Sequence, residues 1–323
     1  MSLLLSEDDV RGLLTMPLAL EAVEEAFRRQ ASGEAIVQPR RRIEVPEKTF
    51  LHYMAAADMV SGYMGMKIYT SMRGAVRFLV PLYSGRNGQL LALIEADYVG
   101  QMRTGAASGV ATKYMSRADA RTIGIVGTGL QARTQLEGIA VVRRIEAVRA
   151  FGRNPERRAE FCQEMSERLG VAVTPAGSAE AAVRDADIVV TATTSSSPVV
   201  RGEWLAPGTH VNAIGANFPQ KRELDDEAVR HADVIAVDSI EQSKLEAGDL
   251  VQTFAGDAAR WGAVRELAEI VAGKVPGRTT AREVTLFKSN GIAIWDVAVA
   301  ARVYELAGER HIGQRIPLWE LCG

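Results

Sequence analysis

The stretch that most constrains this chain is Thr122 to Gly138, TIGIVGTGLQARTQLEG. A short apolar run, Ile123 to Val126, leads directly into Gly127-Thr128-Gly129-Leu130-Gln131-Ala132, a G-x-G-x-x-A turn. Each small residue in the turn has a physical reason. Gly127 permits the tight exit from a strand, Gly129 lets backbone approach a pyrophosphate, and Ala132 lets the following helix pack close to that strand. Bare amides at the helix N-terminus then face the phosphates. A motif this short arises often by chance, so its weight rests on context, with a strand before it and a helix-like segment after it. That context makes Gly127, Thr128, Gly129, Leu130, Gln131 and Ala132 candidates for holding a dinucleotide.

The pattern around this turn continues as strand then helix. Strands are expected at Ile123–Val126, Ala147–Phe151, Ile188–Ala192, His210–Ile214 and Val234–Val237, with helices such as Pro155–Leu169 and Ser178–Ala186 between them. This alternation implies a doubly wound parallel sheet of the Rossmann kind over residues 119–291. Residues 1–118 read differently, as mixed α and β. Ser6 and Asp9 suggest a capping box for a helix at Asp8–Leu14. Thr15 to Gly33 forms a longer helix, with Pro17 in its first turn. Strands follow at Phe50–Met54, Met64–Thr70, Val76–Tyr83 and Leu90–Glu95, and Asn87-Gly88 signals a two-residue hairpin between the last two. Asp97 to Tyr114 is expected to be helical. Glu283–Ser289 closes the second domain as a strand. An amphipathic helix, Gly291–Gly308, then carries residues 292–323 back to the first. The fold class is α/β, a Rossmann domain plus a mixed α+β domain.

Bulk properties narrow the function. The chain has 323 residues, enough for two domains. A net charge of −2 gives no reason to expect nucleic acid or a membrane surface as partner. The acidic start MSLLLSEDDVRGLL is unlike a secretory signal, and no apolar run is long enough to span a bilayer. Cys162 and Cys322 imply neither a disulfide framework nor a metal cluster. His210, His231 and His311 lack ligand-like spacing and read as structural. A cytoplasmic enzyme without a metal fits these properties.

The second Rossmann strand ends at Phe151-Gly152-Arg153-Asn154. An NAD enzyme usually places Asp or Glu there, about 20 residues past the glycine turn, to hold the ribose hydroxyls. Arg153 is cationic instead. It can pair with a 2′-phosphate, or stand as a solvated surface arginine.

With these residues in view, the chain resembles the ornithine cyclodeaminase/μ-crystallin family over nearly its full length. The matching pieces are Gln38-Pro39-Arg40-Arg41, Gly65-Met66-Lys67, Met102-Arg103-Thr104-Gly105-Ala106, the glycine turn, Ala213-Ile214-Gly215-Ala216-Asn217, Arg222-Glu223-Leu224-Asp225 and Phe287-Lys288-Ser289-Asn290-Gly291. By position, the resemblance implies that Arg41, Lys67 and Arg103 bind the carboxylate and the amino or imino region of a small substrate. The chemistry agrees, since an amino-acid carboxylate needs cations and arginine offers a bidentate fork. Lys67 lies in an apolar stretch, where an unpaired ammonium would be costly. The alternatives are a strand-edge lysine in water for Lys67, and a helix salt bridge to Asp97 or Glu95 for Arg103. Arg40 and Arg42 are read as solvated neighbours. His52 stands where the family has a carboxylate. Thr193, Thr194 and Ser195 resemble the nicotinamide-side loop, which plain turn chemistry also explains. Thr104 and Asn154 join the cofactor-binding set. Asn217 replaces the aspartate that cyclodeaminases use for proton transfer, so Lys67 and Asn217 are the candidate catalytic residues.

The resemblance also implies a homodimer formed through the first domain's sheet, with the active site in the cleft between domains. The leading expectation is NADPH-dependent reduction of a small cyclic imino acid such as Δ1-pyrroline-2-carboxylate or Δ1-piperideine-2-carboxylate, with NADH as second cofactor. Ornithine cyclodeaminase and alanine dehydrogenase are the enzymatic alternatives. A μ-crystallin-like protein that binds NADPH and a ligand without turnover is the non-enzymatic one.

Overall fold

A computed structural model describes residues 2–47, 49–72 and 75–318. Cys322 lies outside the described residues. Packing divides the chain into two units, residues 1–104 with 291–323, and residues 105–290. The division falls inside one continuous helix, Asp97–Met115. The change of sequence pattern near Ser116–Ala120 marks the approach to the first Rossmann strand, whereas packing changes earlier.

The first unit contains strands β1 (Ser2–Leu5), β2 (Ala35–Val37), β3 (Arg41–Glu44), β4 (Phe50–Asp58), β5 (Tyr63–Met72), β6 (Ala75–Ser84) and β7 (Leu90–Glu95), with helices α1 (Glu7–Leu13) and α2 (Met16–Ala31). The sheet runs from a C-terminal strand, Gln314–Ile316, through β1, β7, β6, β5 and β4 to β2, and β3 also pairs with β4. Its pairings are antiparallel except β1 with β7.

Alternation sets the two faces. On β4, His52, Met54 and Ala56 are buried, whereas Tyr53 between them is 37% exposed. The C-terminal helix Ala293–Arg310 packs on α2 and on β4, β5 and β6. Phe27 and Trp295 meet edge to face there with centroids 5.3 Å apart, both fully buried. Such a pair adds about 1 kcal/mol beyond its burial. The capping box is present: the Ser6 hydroxyl accepts from the Asp9 amide and the Asp9 carboxylate accepts from the Ser6 amide.

Two local expectations change. Asn87-Gly88 does not form a two-residue turn. Tyr83 pairs with Leu90 after a register shift, and the intervening loop closes with the Ser84 amide donating to the Gln89 carbonyl. β1, β2, β3 and the C-terminal strand lack a strong alternating signal; β3, for example, reads Arg-Arg-Ile-Glu and is mostly exposed.

The second unit is an all-parallel sheet. Its strands are β8 (Thr122–Val126), β9 (Ala147–Phe151), β10 (Ala172–Pro175), β11 (Ile188–Thr191), β12 (His210–Ala213), β13 (Val234–Val237), β14 (Arg265–Glu266) and β15 (Thr285–Lys288), in spatial order β10-β9-β8-β11-β12-β15-β13-β14. The strand order reverses direction between β8 and β11, which is where such sheets bind ligands at the carboxyl ends of their strands. β11 is buried along its whole length, as a strand covered on both faces should be. Ile188 and Val190 pack into one core with Leu136, Phe161 and Met165. Val189 packs into the other with Val183, Val211 and Leu250. Among the described residues, no helix is long and apolar enough to cross a membrane.

Candidate functional site

In the second unit, the glycine turn has the geometry its sequence requires. Gly127 has φ +112°, and a Cβ there would lie 2.3 Å from the Ala192 carbonyl oxygen. No other residue fits without moving β11's exit. Helix α3 (Leu130–Val142) starts at Gly129 with no side chain capping it, and the space beside Gly129 is open. A diphosphate fits this cradle, because bare amides and a helix N-terminus offer donors and positive potential. Leu130 stands 66% exposed at the same end, and Ala132 is fully buried under the helix. Thr128 packs against Gly152 at the end of β9, and Gln131 Oε1 is buried without a hydrogen-bond partner.

At that strand end Arg153 is exposed, and the Arg158 Nη1 donates to the Gly152 carbonyl at 3.1 Å. No carboxylate occupies the Phe151–Asn154 segment. The Asn154 side chain accepts from the Arg157 amide at 2.8 Å as the N-cap of Pro155–Leu169, so its oxygen has a structural use. Thr193 donates its amide to Glu223 Oε1, and its hydroxyl accepts from the Ser195 amide. Thr194 is exposed beside them.

Three motifs that looked separate in the sequence meet behind this loop. The fully buried Glu223 accepts from the Thr191 hydroxyl, the Thr193 amide and the Gly215 amide. Burial pushes its carboxyl above the usual range, an effect opposed by Lys288. Lys288 donates to the Ala216 carbonyl at 2.6 Å, directly before Asn217, and pairs with Asp249. Asp249 in turn accepts the Glu223 and Leu224 amides. These charges fix the ends of β11 and β12, and thereby the Thr193–Ser195 and Gly215–Asn217 segments. Asn217 itself is half-buried.

The first unit carries a buried charge cluster. Lys67 Nζ lies 3.1 Å from Asp296 Oδ1 and 4.3 Å from the centre of the Phe78 ring. Arg103 Nε lies 3.4 Å from the same Asp296 oxygen, and its guanidinium stands 5.5 Å over Trp295. Arg40 donates to the Gly291 carbonyl at 3.3 Å. Gly291 has φ +79°, and a Cβ there would sit 2.3 Å from Arg103 Nη1. Burial pulls Lys67 down to about 8, with Asp296 opposing and Arg103 and Arg40 assisting. Arg103 Nη1 and Asp296 Oδ2 are buried with no hydrogen-bond partner. Thr104, next to Arg103, uses its hydroxyl on the Gly100 carbonyl.

Several residues differ from expectation. Arg41 does not join Lys67 and Arg103. Its register partner is Tyr53, which places it exposed on the opposite face of the sheet, and buried Arg40 takes the place beside the cluster. Arg42 is not solvated but donates to His52 Nδ1 at 3.3 Å. His52 is stacked on Tyr69 at 4.3 Å, and its Nε2 meets the Ser71 hydroxyl. Burial, with Arg42 and Arg40 nearby, holds it down at about 4. It is a neutral packed ring with both nitrogens engaged, poorly suited to bind a carboxylate. Lys67 is on a central strand, not an edge, and Arg103 pairs with Asp296 instead of Asp97 or Glu95. Asp296 escaped the sequence reading. Its signal was an acidic residue inside an otherwise apolar helical stripe. Among the described residues, no group of three or more His, Cys, Asp or Glu is placed to hold a metal.

A dinucleotide cradle on a parallel sheet, in a chain with a buried cationic cluster, belongs to a nicotinamide-dependent oxidoreductase. The sequence profile of the ornithine cyclodeaminase/mu-crystallin family matches residues 1–311, and the chain belongs to that family. Alanine dehydrogenase from Archaeoglobus fulgidus is 37% identical over 99% of both chains. Delta(1)-pyrroline-2-carboxylate reductase from Bacillus cereus is 35% identical over 97% of this chain and 99% of the relative. The solved structure of Thermococcus litoralis Delta(1)-pyrroline-2-carboxylate reductase in complex with NADH and L-proline superimposes with a TM-score of 0.93. It is 40% identical, covering 97% of this chain and all of that one.

Proposed function

We propose that this protein reduces small cyclic imino acids of the Δ1-pyrroline-2-carboxylate and Δ1-piperideine-2-carboxylate type to cyclic L-amino acids, with NADPH preferred. The observation that carries this reading is the buried Arg103, whose Nη1 has no hydrogen-bond partner, beside the Lys67 ammonium. A buried donor of this kind costs about 1–3 kcal/mol until an acceptor arrives. A substrate carboxylate supplies that acceptor, and Lys67 and Arg40 add positive potential around it.

A nicotinamide, when bound, would supply the hydride that the imine carbon needs. The chain's own residues do the rest. Arg103 and Lys67 orient the carboxylate, so the carbon bonded to it is presented in a fixed pose. The ring nitrogen enters already protonated, and asparagine at position 217 has no proton to exchange near neutral pH. The glycine turn and the α3 N-terminus would hold the diphosphate of that cofactor. Arg153, with no carboxylate beside it in the strand-end segment, pairs with a 2′-phosphate.

The protein works as a homodimer through the exposed sheet face of the first unit, where Ile36, Ile43, Tyr53 and Met72 are 51%, 52%, 37% and 58% exposed. The experiment is to follow NADPH and NADH absorbance against cyclic imino acids, against pyruvate with ammonia, and against ornithine with catalytic cofactor. Reduction of the cyclic imines with the highest kcat/KM supports the reading. Faster turnover of pyruvate with ammonia would make it an alanine dehydrogenase, and stoichiometric binding without oxidation would make it a binding protein.

A further inference from the structure

We propose that Asp296 is a positioning residue that keeps Lys67 cationic and aims its ammonium at the substrate's carboxylate end. This inference deepens the imine-reductase reading and rests on it for its catalytic meaning. It begins with a sharing of one oxygen. Asp296 Oδ1 lies 3.1 Å from Lys67 Nζ and 3.4 Å from Arg103 Nε. The carboxylate is fully buried, and its other oxygen has no hydrogen-bond partner. A carboxylate buried this deeply is retained against its desolvation only by opposed charge and by its place in a helix. Asp296 has both, because it sits in the first turn of the Ala293–Arg310 helix, where the helix dipole favours an anion.

The charges facing Lys67 come from several elements. Asp296 faces it from the C-terminal helix, Arg103 from the Asp97–Met115 helix, and Arg40 from the segment before β3. Phe78 on β6 offers only a ring face. On Lys67's own strand, Tyr69 is stacked on His52 of β4, and that histidine is neutral. Tyr63, also on β5, is engaged with Glu305. Burial first, and then the two neighbouring guanidiniums, push a proton off Lys67, and Asp296 is the nearby group that holds it there. Without that carboxylate the lysine would lose much of its charge near neutral pH and attract a carboxylate less strongly. Arg103 would also lose the contact that orients its fork.

The test follows Lys67 directly. Side-chain carbon and nitrogen resonances of isotopically labelled lysine are recorded against pH, with Lys67 assigned by its loss in Lys67→Arg. In the unaltered protein the midpoint is expected at about 8. In Asp296→Asn it should fall by about one unit or more, and Asp296→Glu should restore most of the difference. The high-pH limb of kcat/KM for imine reduction should move downward with it, because activity requires the charged lysine and is lost as pH rises through its midpoint. A role confined to stability would lower the melting temperature of Asp296→Asn and leave the Lys67 midpoint where it was, and that result would overturn the proposal. Should the asparagine variant not fold, the Asp296 carboxyl carbon of the unaltered protein serves instead. It should inflect at the Lys67 midpoint, and a flat response there would equally overturn the proposal. If the Lys67 midpoint moves as expected but no imine is reduced, the pairing stands and the functional reading fails.

Discussion

Lys288 and Asp249 form an ion pair at 3.0 Å in which neither side chain has any exposed surface. The pair ties the end of β15 to the helix Gly248–Thr253, and its lysine also holds the Ala216 carbonyl that precedes Asn217. Replacing Lys288 with methionine would leave the Asp249 charge buried beside Glu223 without a counter-charge. The cost expected is about 3–5 kcal/mol of stability, read from denaturant unfolding. A loss below about 1 kcal/mol would show that backbone donors alone satisfy Asp249.

Arg103 and Arg41 are separated by the sheet's alternation, and function should separate them too. Arg103→Ala removes the buried fork and should lower kcat/KM for a cyclic imino acid at least a hundredfold, roughly 2.7 kcal/mol of transition-state stabilisation. Arg41→Ala should change it only a few-fold, since its side chain lies on the face away from Lys67. Dinucleotide affinity should hold in both. Equal losses in the two variants would contradict the assignment of faces.

The contrast between these arginines also shows what the sequence could reveal. The Rossmann half was legible because its signals are local: a strand feeding Gly127, apolar runs such as Ile188–Thr191, and helices capped by Asn154 and Ser178. In the first unit the long strands were legible by alternation, but neighbouring arginines in Arg40-Arg41-Arg42 could not be sorted. Their faces depend on the register of β3 against β4, which sets Arg42 opposite His52 and Arg41 opposite Tyr53. Asp296 was hidden for another reason. It is far from Lys67 in the chain, and only the docking of the C-terminal helix onto β5 brings them together. Glu223, Asp249 and Lys288 were likewise invisible as a network, although two of the three lay in motifs already singled out.

Arg153 stands exposed where an acidic residue would otherwise hold the ribose. An arginine–phosphate pair at such a site is worth about one to a few kcal/mol, so NADPH should bind at least about fivefold more tightly than NADH. Arg153→Asp should weaken NADPH and spare or improve NADH. Fluorescence titration of both cofactors decides the matter, and equal affinities in the unaltered protein would remove Arg153 from the cofactor site.

Asn217 should make this protein a reductase of imines and a poor cyclase of ornithine. Cyclodeamination oxidises an amine, expels ammonia by internal attack and returns the hydride, so protons must be accepted and given back in several steps. A carboxylate near the reacting carbon can do this, whereas asparagine has no proton to exchange near neutral pH and offers hydrogen bonds only. The structure narrows the substitutes. His52 is neutral, stacked and doubly hydrogen-bonded, which removes it as a proton carrier. Lys67, brought down to about 8, remains able to hold a proton next to the carboxylate, but it is paired with Asp296 and carries one proton at a time. Imine reduction asks for no more than that, because the cyclic iminium arrives protonated and needs an anchored carboxylate and a positioned hydride donor. Ornithine with catalytic NAD(P) should therefore yield little proline or ammonia, while NADPH is consumed with the cyclic imino acid. Asn217→Asp should raise ornithine turnover above the unaltered level if the missing carboxylate is the limiting group. Efficient proline formation from ornithine by the unaltered protein, without imine reduction, would overturn this reading of Asn217.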